Sequence, residues 1–305
     1  MLRKLVKVFL LMAFIAALGF AALYVYFASK TGKRAVKLPI FLNTNNRKLV
    51  IAHRGGSALA PENTLEAFDA STKVGADVLE LDVRQTKDGH LVVFHDATIE
   101  RTTNGKGKIS ELTLEQVKAL DAGYNWSRDG KTFPFRNKGV KVPELKEVFE
   151  RFPQKLVNAE AKFSAPSPAM PICDLIKSFR REDKTIFAAI SKSVQKQFRA
   201  ECPNVATSAS AVEGFEFLAM YKMGLTSHFS AEMQALQIPF NLFGIKVVDK
   251  SFIEAAHARG LQIHVFTVNN SEEISKYINS EVDGIMTDRP DVLVNQISNE
   301  SGKTP

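Results

Sequence analysis

The strongest constraint on the fold of this 305-residue chain is a repeated alternation of short β-branched runs with helix-patterned segments. Strand-like runs occupy Leu49–His53, Val78–Val83, Lys155–Lys162, Thr185–Ser191, Val205–Ser210, Leu236–Pro239, Gln262–Val268 and Gly284–Thr287, eight in all. Helical patterns lie between them, among others at Leu65–Val74, Met170–Arg181, Phe252–Arg259 and Ser271–Ile278. Strands separated by helices pair in parallel, because a parallel partner is reached only through a crossover. Eight such units in the roughly 258 residues from Lys48 onward match the size of one α/β domain, a (β/α)8 TIM barrel. A ninth apolar run, Leu91–Phe94, breaks the count. Asp88-Gly89 just before it is a tight-turn signal, so this run is expected to return as a hairpin along an overlong second strand. A turn centred on that dipeptide sets His95 opposite Asp82, above the barrel.

Ahead of the barrel, Val8–Ala28 runs 21 residues without a charge. As a helix at about 1.5 Å per residue it spans roughly 31 Å, the thickness of a bilayer's hydrocarbon core. A cleaved signal peptide has a shorter apolar core and a small-x-small cleavage site, which Phe27-Ala28-Ser29 supplies poorly. The expected organisation is a single-pass membrane anchor over residues 1–29, a basic and then polar linker over 30–47 lying along the membrane surface, and the barrel over 48–305. Three basic residues and the amino terminus precede the apolar run and four basic residues follow it, so the positive-inside rule nearly ties. In a bacterium, a basic start before a short anchor favours a barrel on the extracytoplasmic, periplasmic side.

The net charge of +7 belongs to this anchor region. Seven of the 40 basic residues precede residue 47, ahead of the first acid, Glu62, which leaves 33 bases against 33 acids in the remainder. A neutral barrel lacks the domain-wide basic surplus of a nucleic-acid-binding face. Cys173 and Cys202 show neither CxxC nor paired spacing, so neither a zinc site nor a disulfide is expected.

Chemistry concentrates at the ends of the early strands. Glu80 and Asp82, in VLELDV, are two apart on a strand and share a face. Two carboxylates on one face of a buried strand repel each other unless a cation lies between them, and oxygen ligands suit magnesium or calcium. Glu160 and Lys162, in NAEAK, share a face near the end of another strand. Parallel barrel strands all end on one rim, where these groups form a candidate metal–phosphate site. His53 and Arg54 end the first strand ahead of Gly55-Gly56, and His95 lies in VVFHD. Histidine exchanges protons near neutrality, arginine offers a fork matched to phosphate, and paired glycines let a backbone approach a ligand. His90 reads as a solvated turn residue, His257 as a surface residue and His264 as a satisfied core histidine.

The segments IAHRGGSALAPENTLEAF, GADVLELDVRQTKDGHLVVFHDATIERTTNGKG, NAEAK and VFTVNNSEE with VDGIMTDRPD, running in order from Leu49 to Asp291, together resemble the glycerophosphodiester phosphodiesterase family. The resemblance implies a distorted TIM barrel, related in design to phosphatidylinositol phospholipase C, with a divalent metal, Mg2+ or Ca2+, at its mouth. It implies His53 and His95 as the acid/base pair, Glu80, Asp82 and Glu160 as metal ligands, and Arg54 and Lys162 as phosphate contacts. It further suggests attack by the glycerol 2-hydroxyl, giving a cyclic phosphate that water opens. Phe266 stands where the family commonly has tryptophan, and Ala159 and Ala161 stand where larger aliphatic residues are usual, which bears on pocket shape.

The activity so implied is metal-dependent hydrolysis of glycerophosphodiesters to glycerol 3-phosphate and an alcohol. The alternative is a lysophospholipase D drawing lysophospholipid from the bilayer, with Trp126, Phe133 and Phe135 of a long loop dipping toward lipid. A non-catalytic receptor for a phosphate-bearing lipid is disfavoured, because all five histidine and carboxylate positions are filled.

Overall fold

The computed structural model describes residues 2–42, 47–162, 167–241, 244 and 247–301. Among the described residues nine strands follow one another as β1 (Leu49–Ala52), β2 (Val78–Gln85), β3 (Leu91–Val93), β4 (Leu156–Ala161), β5 (Thr185–Ala188), β6 (Ala206–Thr207), β7 (Ala235–Pro239), β8 (Gln262–Phe266) and β9 (Gly284–Thr287). All but β3 lie in parallel in the order β6-β5-β4-β2-β1-β9-β8-β7. A parallel bridge between Ser208 and Ala235 joins the outer two strands and closes an eight-stranded barrel. The expected fold class is therefore the observed one.

The helices are α1 (Leu2–Ala28), α2 (Pro39–Leu42), α3 (Leu65–Val74), α4 (Leu114–Ala119), α5 (Leu145–Arg151), α6 (Ala169–Ser178), α7 (Lys192–Glu201), α8 (Ala211–Lys222), α9 (Lys250–Ala258), α10 (Ser271–Ile278) and α11 (Pro290–Ser301). Several strands end earlier than their apolar runs because the next residues serve as caps. Ser191 accepts from the main chain of α7, and Ser210 forms a reciprocal capping box with Glu213 at the start of α8. Thr64 caps α3, and Gly75 ends it at φ 98°, in the left-handed region.

The hairpin forms, one residue out of the expected register. Val83 faces Val93 and Gln85 faces Leu91, so Phe94, not His95, lies opposite Asp82, donating its N–H to the Asp82 carbonyl at 2.8 Å. The turn is the odd-numbered loop Lys87-Asp88-Gly89, closed by Thr86 N–H on the His90 carbonyl, with Gly89 at φ 89°. The segment after β3 builds a small core of its own around Phe94, Ile99, Ile109, Val117 and Val140. Trp126 stacks edge-on against Phe135 at 5.1 Å and donates its indole N–H to the Ser57 carbonyl at 2.8 Å, while Arg136 covers Phe133. These rings are half-buried, and Trp126 ties the insertion to the loop after β1.

The described part of the linker runs over the barrel, with residues 43–46 outside the described residues. Lys33 and Ala35 exchange main-chain bonds with Ala231 and Arg259, and Ile40 of α2 is buried against Ile186 and Ala206 where β5 and β6 begin. From Arg3 to Tyr26 the side chains of α1 are exposed, but Phe27 is buried within a large apolar cluster of the barrel. By length and composition α1 can cross a membrane.

Cys173 of α6 and Cys202 at the end of α7 form a disulfide across 29 residues, contrary to the sequence expectation. Their separation is that of one helix–strand–helix unit, so nothing in the spacing announces the pairing; packing of adjacent helices on adjacent strands creates it. Closing a loop of this length stabilises the fold by about 3–4 kcal/mol in the chain-entropy model. The Cys173→Ala/Cys202→Ala double variant is expected to melt roughly 6–15 °C lower. Calorimetry of the variant beside the parent checks this, and an unchanged melting temperature would show that the bridge contributes nothing.

Candidate active site

Parallel pairing of β2 with β4 sets Glu80 beside Asn158 and Asp82 beside Glu160. One carboxylate oxygen from each of Glu80, Asp82 and Glu160 lies within 4.8 Å of the others. Glu80 and Asp82 are 2% and 1% exposed, so water screens neither. Asp82 is compensated: Lys162 Nζ lies 2.8 Å from its Oδ1, Asn63 Nδ2 donates to Oδ2 at 2.8 Å, and Arg54 Nε stands 3.8 Å away. Lys162 reaches Glu160 Oε1 at 2.9 Å as well. Glu80, by contrast, accepts the Arg54 main-chain N–H at 2.6 Å and has no side-chain cation in ion-pair contact among the described residues. Burial, and then the charge of Asp82, push its carboxyl up to about 8. Burial would raise Asp82 too, but Lys162 and His95 hold it below the usual range. A three-carboxylate set with two members buried, one of them without a side-chain cation among the described residues, fits a hard divalent cation.

His53 and Arg54 occupy a short 3-10 turn directly after β1. Gly55 has φ 79°, and a Cβ there would meet the Phe68 ring at 2.6 Å, so this glycine admits α3 to the barrel and does not serve ligand approach. His53 Nδ1 lies 2.7 Å from Asp288 Oδ1, which also accepts from Ser57 Oγ at 2.7 Å. The other oxygen of Asp288 accepts from Asn269 Nδ2 at 2.5 Å. An ionised carboxylate only accepts, so the proton sits on Nδ1 and Nε2 is the atom left to exchange protons. Burial opposes the charged imidazole, but the Asp288 bond and the Glu80 charge outweigh it and raise the His53 pKa.

His95 repeats the arrangement, its Nδ1 2.6 Å from Asp96 Oδ1. Asp96 accepts from Arg101 Nε at 2.5 Å, Arg101 forks onto Glu62 at 2.7 and 2.8 Å, and Glu62 takes Arg54 at 3.0 Å. Against the effect of burial, the bonds from Arg101 and His95 bring Asp96 down to about 2. One chain of charge-assisted bonds thereby links the two histidine sectors.

A cavity of about 530 Å³ opens over this rim. His53, Arg54, His95, Glu160 and Lys162 line one side, with Glu80 and Asp82 buried behind them. Its other side is apolar, with Ala189, Leu218, Ile238, Phe252 and Phe266. The structure thus brings together all seven residues singled out in the sequence. It adds Asp288, Asp96, Glu62 and Asn63, which sequence reasoning missed; Asp96 adjoins His95 and Asp288 follows β9, so rim position was the available signal. The other histidines stand apart from the cavity: His264 is fully buried between Gln237 and Gln262, its pKa lowered by burial to about 4, while His257, half-exposed, pairs with Asp283 at 2.8 Å.

The model of the glycerophosphoryl diester phosphodiesterase family matches residues 53–292. The chain belongs to that family. A glycerophosphodiester phosphodiesterase of Caldanaerobacter subterraneus is 34% identical over 258 residues, covering 82% of this chain and 98% of that protein. A lysophospholipase D of Rattus norvegicus is 26% identical over 276 residues, covering 82% and 86%. The crystal structure of a glycerophosphodiester phosphodiesterase from Agrobacterium tumefaciens superposes with a TM-score of 0.65 at 26% identity, covering 81% of this chain and 99% of that one. Of the departures from the phosphodiesterase pattern, only Phe266 lines the cavity. Ala159 and Ala161 alternate with Glu160 and face the outer core, so they do not shape this phosphodiesterase's pocket.

Glu80 supplies a pH test. Its folded pKa stands above its unfolded value of 4.5, so the folded state holds a proton that the unfolded state releases. In chelator, stability should fall as pH rises from about 4.5 to about 8. Added Mg2+ or Ca2+ should restore it most at the upper end, where it displaces the fewest protons. Melting curves at stepped pH with EDTA or metal check this; a metal effect independent of pH would remove Glu80 from the ligand set.

Proposed function

We propose that this protein hydrolyses glycerophosphodiesters to glycerol 3-phosphate and an alcohol, with a divalent cation, Mg2+ or Ca2+, held by Glu80, Asp82 and Glu160. The observation that carries the reading is the pair of carboxylate-oriented histidines, His53 and His95, opening onto one cavity with that acidic cluster, Arg54 and Lys162. When bound, the cation supplies Lewis acidity and positive charge toward a non-bridging phosphate oxygen. Arg54 and Lys162 bind the phosphate and add charge where it develops. One histidine takes the proton from the attacking hydroxyl through Nε2, and the other gives a proton to the departing alcohol oxygen as its bond to phosphorus breaks. Asp288 and Asp96 hold each ring with Nε2 free. One water is consumed overall, whether it attacks directly or opens a cyclic phosphate formed by the glycerol 2-hydroxyl.

The reading includes an uncleaved α1 as membrane anchor and a barrel on the extracytoplasmic side. The Cys173–Cys202 disulfide supports an oxidising compartment. Phe27, buried in the barrel's core, supports an α1 that stays attached.

His53→Ala and His95→Ala should each lower kcat/KM on glycerophosphocholine by about 10²–10⁴-fold with the fold intact. EDTA should abolish turnover until Mg2+ or Ca2+ returns. Asp288→Asn should cut kcat and move the limb that reports His53 to lower pH, since the bond that raises its pKa is weakened. Steady-state kinetics across pH with circular dichroism as a folding control test these outcomes. Near-parental turnover in either alanine variant would remove that histidine from the pair.

A further inference from the structure

β3 ends at Val93, and the Phe94 N–H on the Asp82 carbonyl is the last bond between the two arms of the hairpin before the chain leaves the sheet. His95 therefore lies outside the sheet, and among the described residues its main chain makes no hydrogen bond to another main-chain group. The bond from its ring goes to Asp96, the next residue, so it orients the imidazole within its own segment and does not tie that segment to the barrel. Arg101, which holds Asp96, belongs to the same segment and is half-exposed. A proton-transfer group needs a fixed distance to the groups it serves, because a misplacement of about 1 Å costs roughly 10²-fold in rate.

A direct tether comes from β2. Arg84 stands two residues beyond Asp82, so along the extended strand Glu80, Asp82 and Arg84 share one face. Its Nε donates to the His95 carbonyl at 2.8 Å. Burial lowers the pKa of its guanidinium, and the charges of Asp82, Asp96 and Glu160 nearby offset part of that effect. Arg84 does not line the cavity, so it bears on the chemistry through what it holds. One strand thus carries two carboxylates of the acidic cluster and, through a third side chain on the same face, the backbone of the histidine beside them.

Resting on the proposed hydrolysis, we propose that Arg84 is a positioning residue, whose Nε bond to the His95 carbonyl sets the distance between the His95 imidazole and the cluster of Glu80, Asp82 and Glu160. Full-length protein in detergent micelles with Mg2+ or Ca2+ is assayed on glycerophosphocholine as Arg84→Met and as Arg84→Gln. The two side chains match in reach, and only glutamine puts an N–H donor where Nε stands. Arg84→Met should lower kcat about 10–100-fold with KM little changed, and Arg84→Gln should restore most of that loss. In a His95→Ala background Arg84→Met should cost nothing further, because the group it places is gone. Losses that multiply in the double variant would show that Arg84 acts independently of His95, and a raised KM with kcat unchanged would show that it binds substrate; either overturns the proposal. Equal losses in Arg84→Met and Arg84→Gln would assign the effect to charge and overturn it too.

A second measurement does not depend on turnover. In protein isotope-labelled at histidine Cε1, the His95 signal, assigned by its absence in His95→Ala, should move in Arg84→Met and return toward its parental position in Arg84→Gln, while the His53 signal stays. An unmoved His95 signal would overturn the proposal even where activity falls. If circular dichroism shows Arg84→Met unfolded, Arg84→Gln decides: near-parental kcat and signal support the bond, and a large loss of kcat with an unmoved signal overturns it. Inactive parental protein, or near-parental His95→Ala, would overturn the hydrolytic reading instead, and the His95 signal would still decide whether Arg84 places the ring.

Discussion

Mutual repulsion among three carboxylates governs how this end of the barrel is built. β2 and β4 fix Glu80, Asp82 and Glu160 by strand register, so the groups cannot move apart without unpairing the sheet. The surroundings therefore compensate, with Lys162 between two of the acids, Asn63 donating to the other Asp82 oxygen and the Arg54 guanidinium nearby. Among the described residues Glu80 is left with a main-chain N–H alone, and burial together with the Asp82 charge raises its carboxyl. The most strained electrostatic position is thus also the one where a cation would contribute most.

The same compensation positions the histidines. Arg54 is shared between the acidic cluster and Glu62, Glu62 is shared with Arg101, and Arg101 orients Asp96 and hence His95. His95 lies beyond the hairpin, in a segment with a core of its own, yet this chain of ion pairs and the Trp126 bond to Ser57 tie that segment to the loop after β1. Such partly buried, mutually shared pairs are strongly coupled, so loss of Glu62 would be felt at both Arg54 and His95.

Much of this was legible in the sequence because it follows from period and position. Eight apolar runs separated by helices gave the barrel, and residues two apart on a strand gave Glu80 with Asp82 and Glu160 with Lys162. What was not legible depends on geometry that local sequence does not carry. The hairpin register turned on a three-residue loop where the dipeptide suggested two. The Cys173–Cys202 bridge depends on which helices become neighbours, and the seat of the linker on the barrel rests largely on main-chain bonds indifferent to side-chain identity. Asp288 reaches His53 only because β9 pairs with β1.

The barrel divides the work by strand order. Around the closed sheet, β4, β2, β1 and β9 are consecutive and carry Glu160 with Lys162, Glu80 with Asp82, His53 with Arg54, and Asp288 at or just beyond their ends. The remaining four, β8, β7, β6 and β5, are also consecutive, and their ends supply the apolar wall, from Phe266 through Ile238 to Ala189. Charged groups need particular residue types at fixed spacing, so the first half speaks in motifs. A wall of alanine, leucine, isoleucine and phenylalanine needs only volume and burial, which many sequences satisfy. The charged half was therefore readable from residues alone, whereas the apolar wall becomes readable only when the second half is folded against the first.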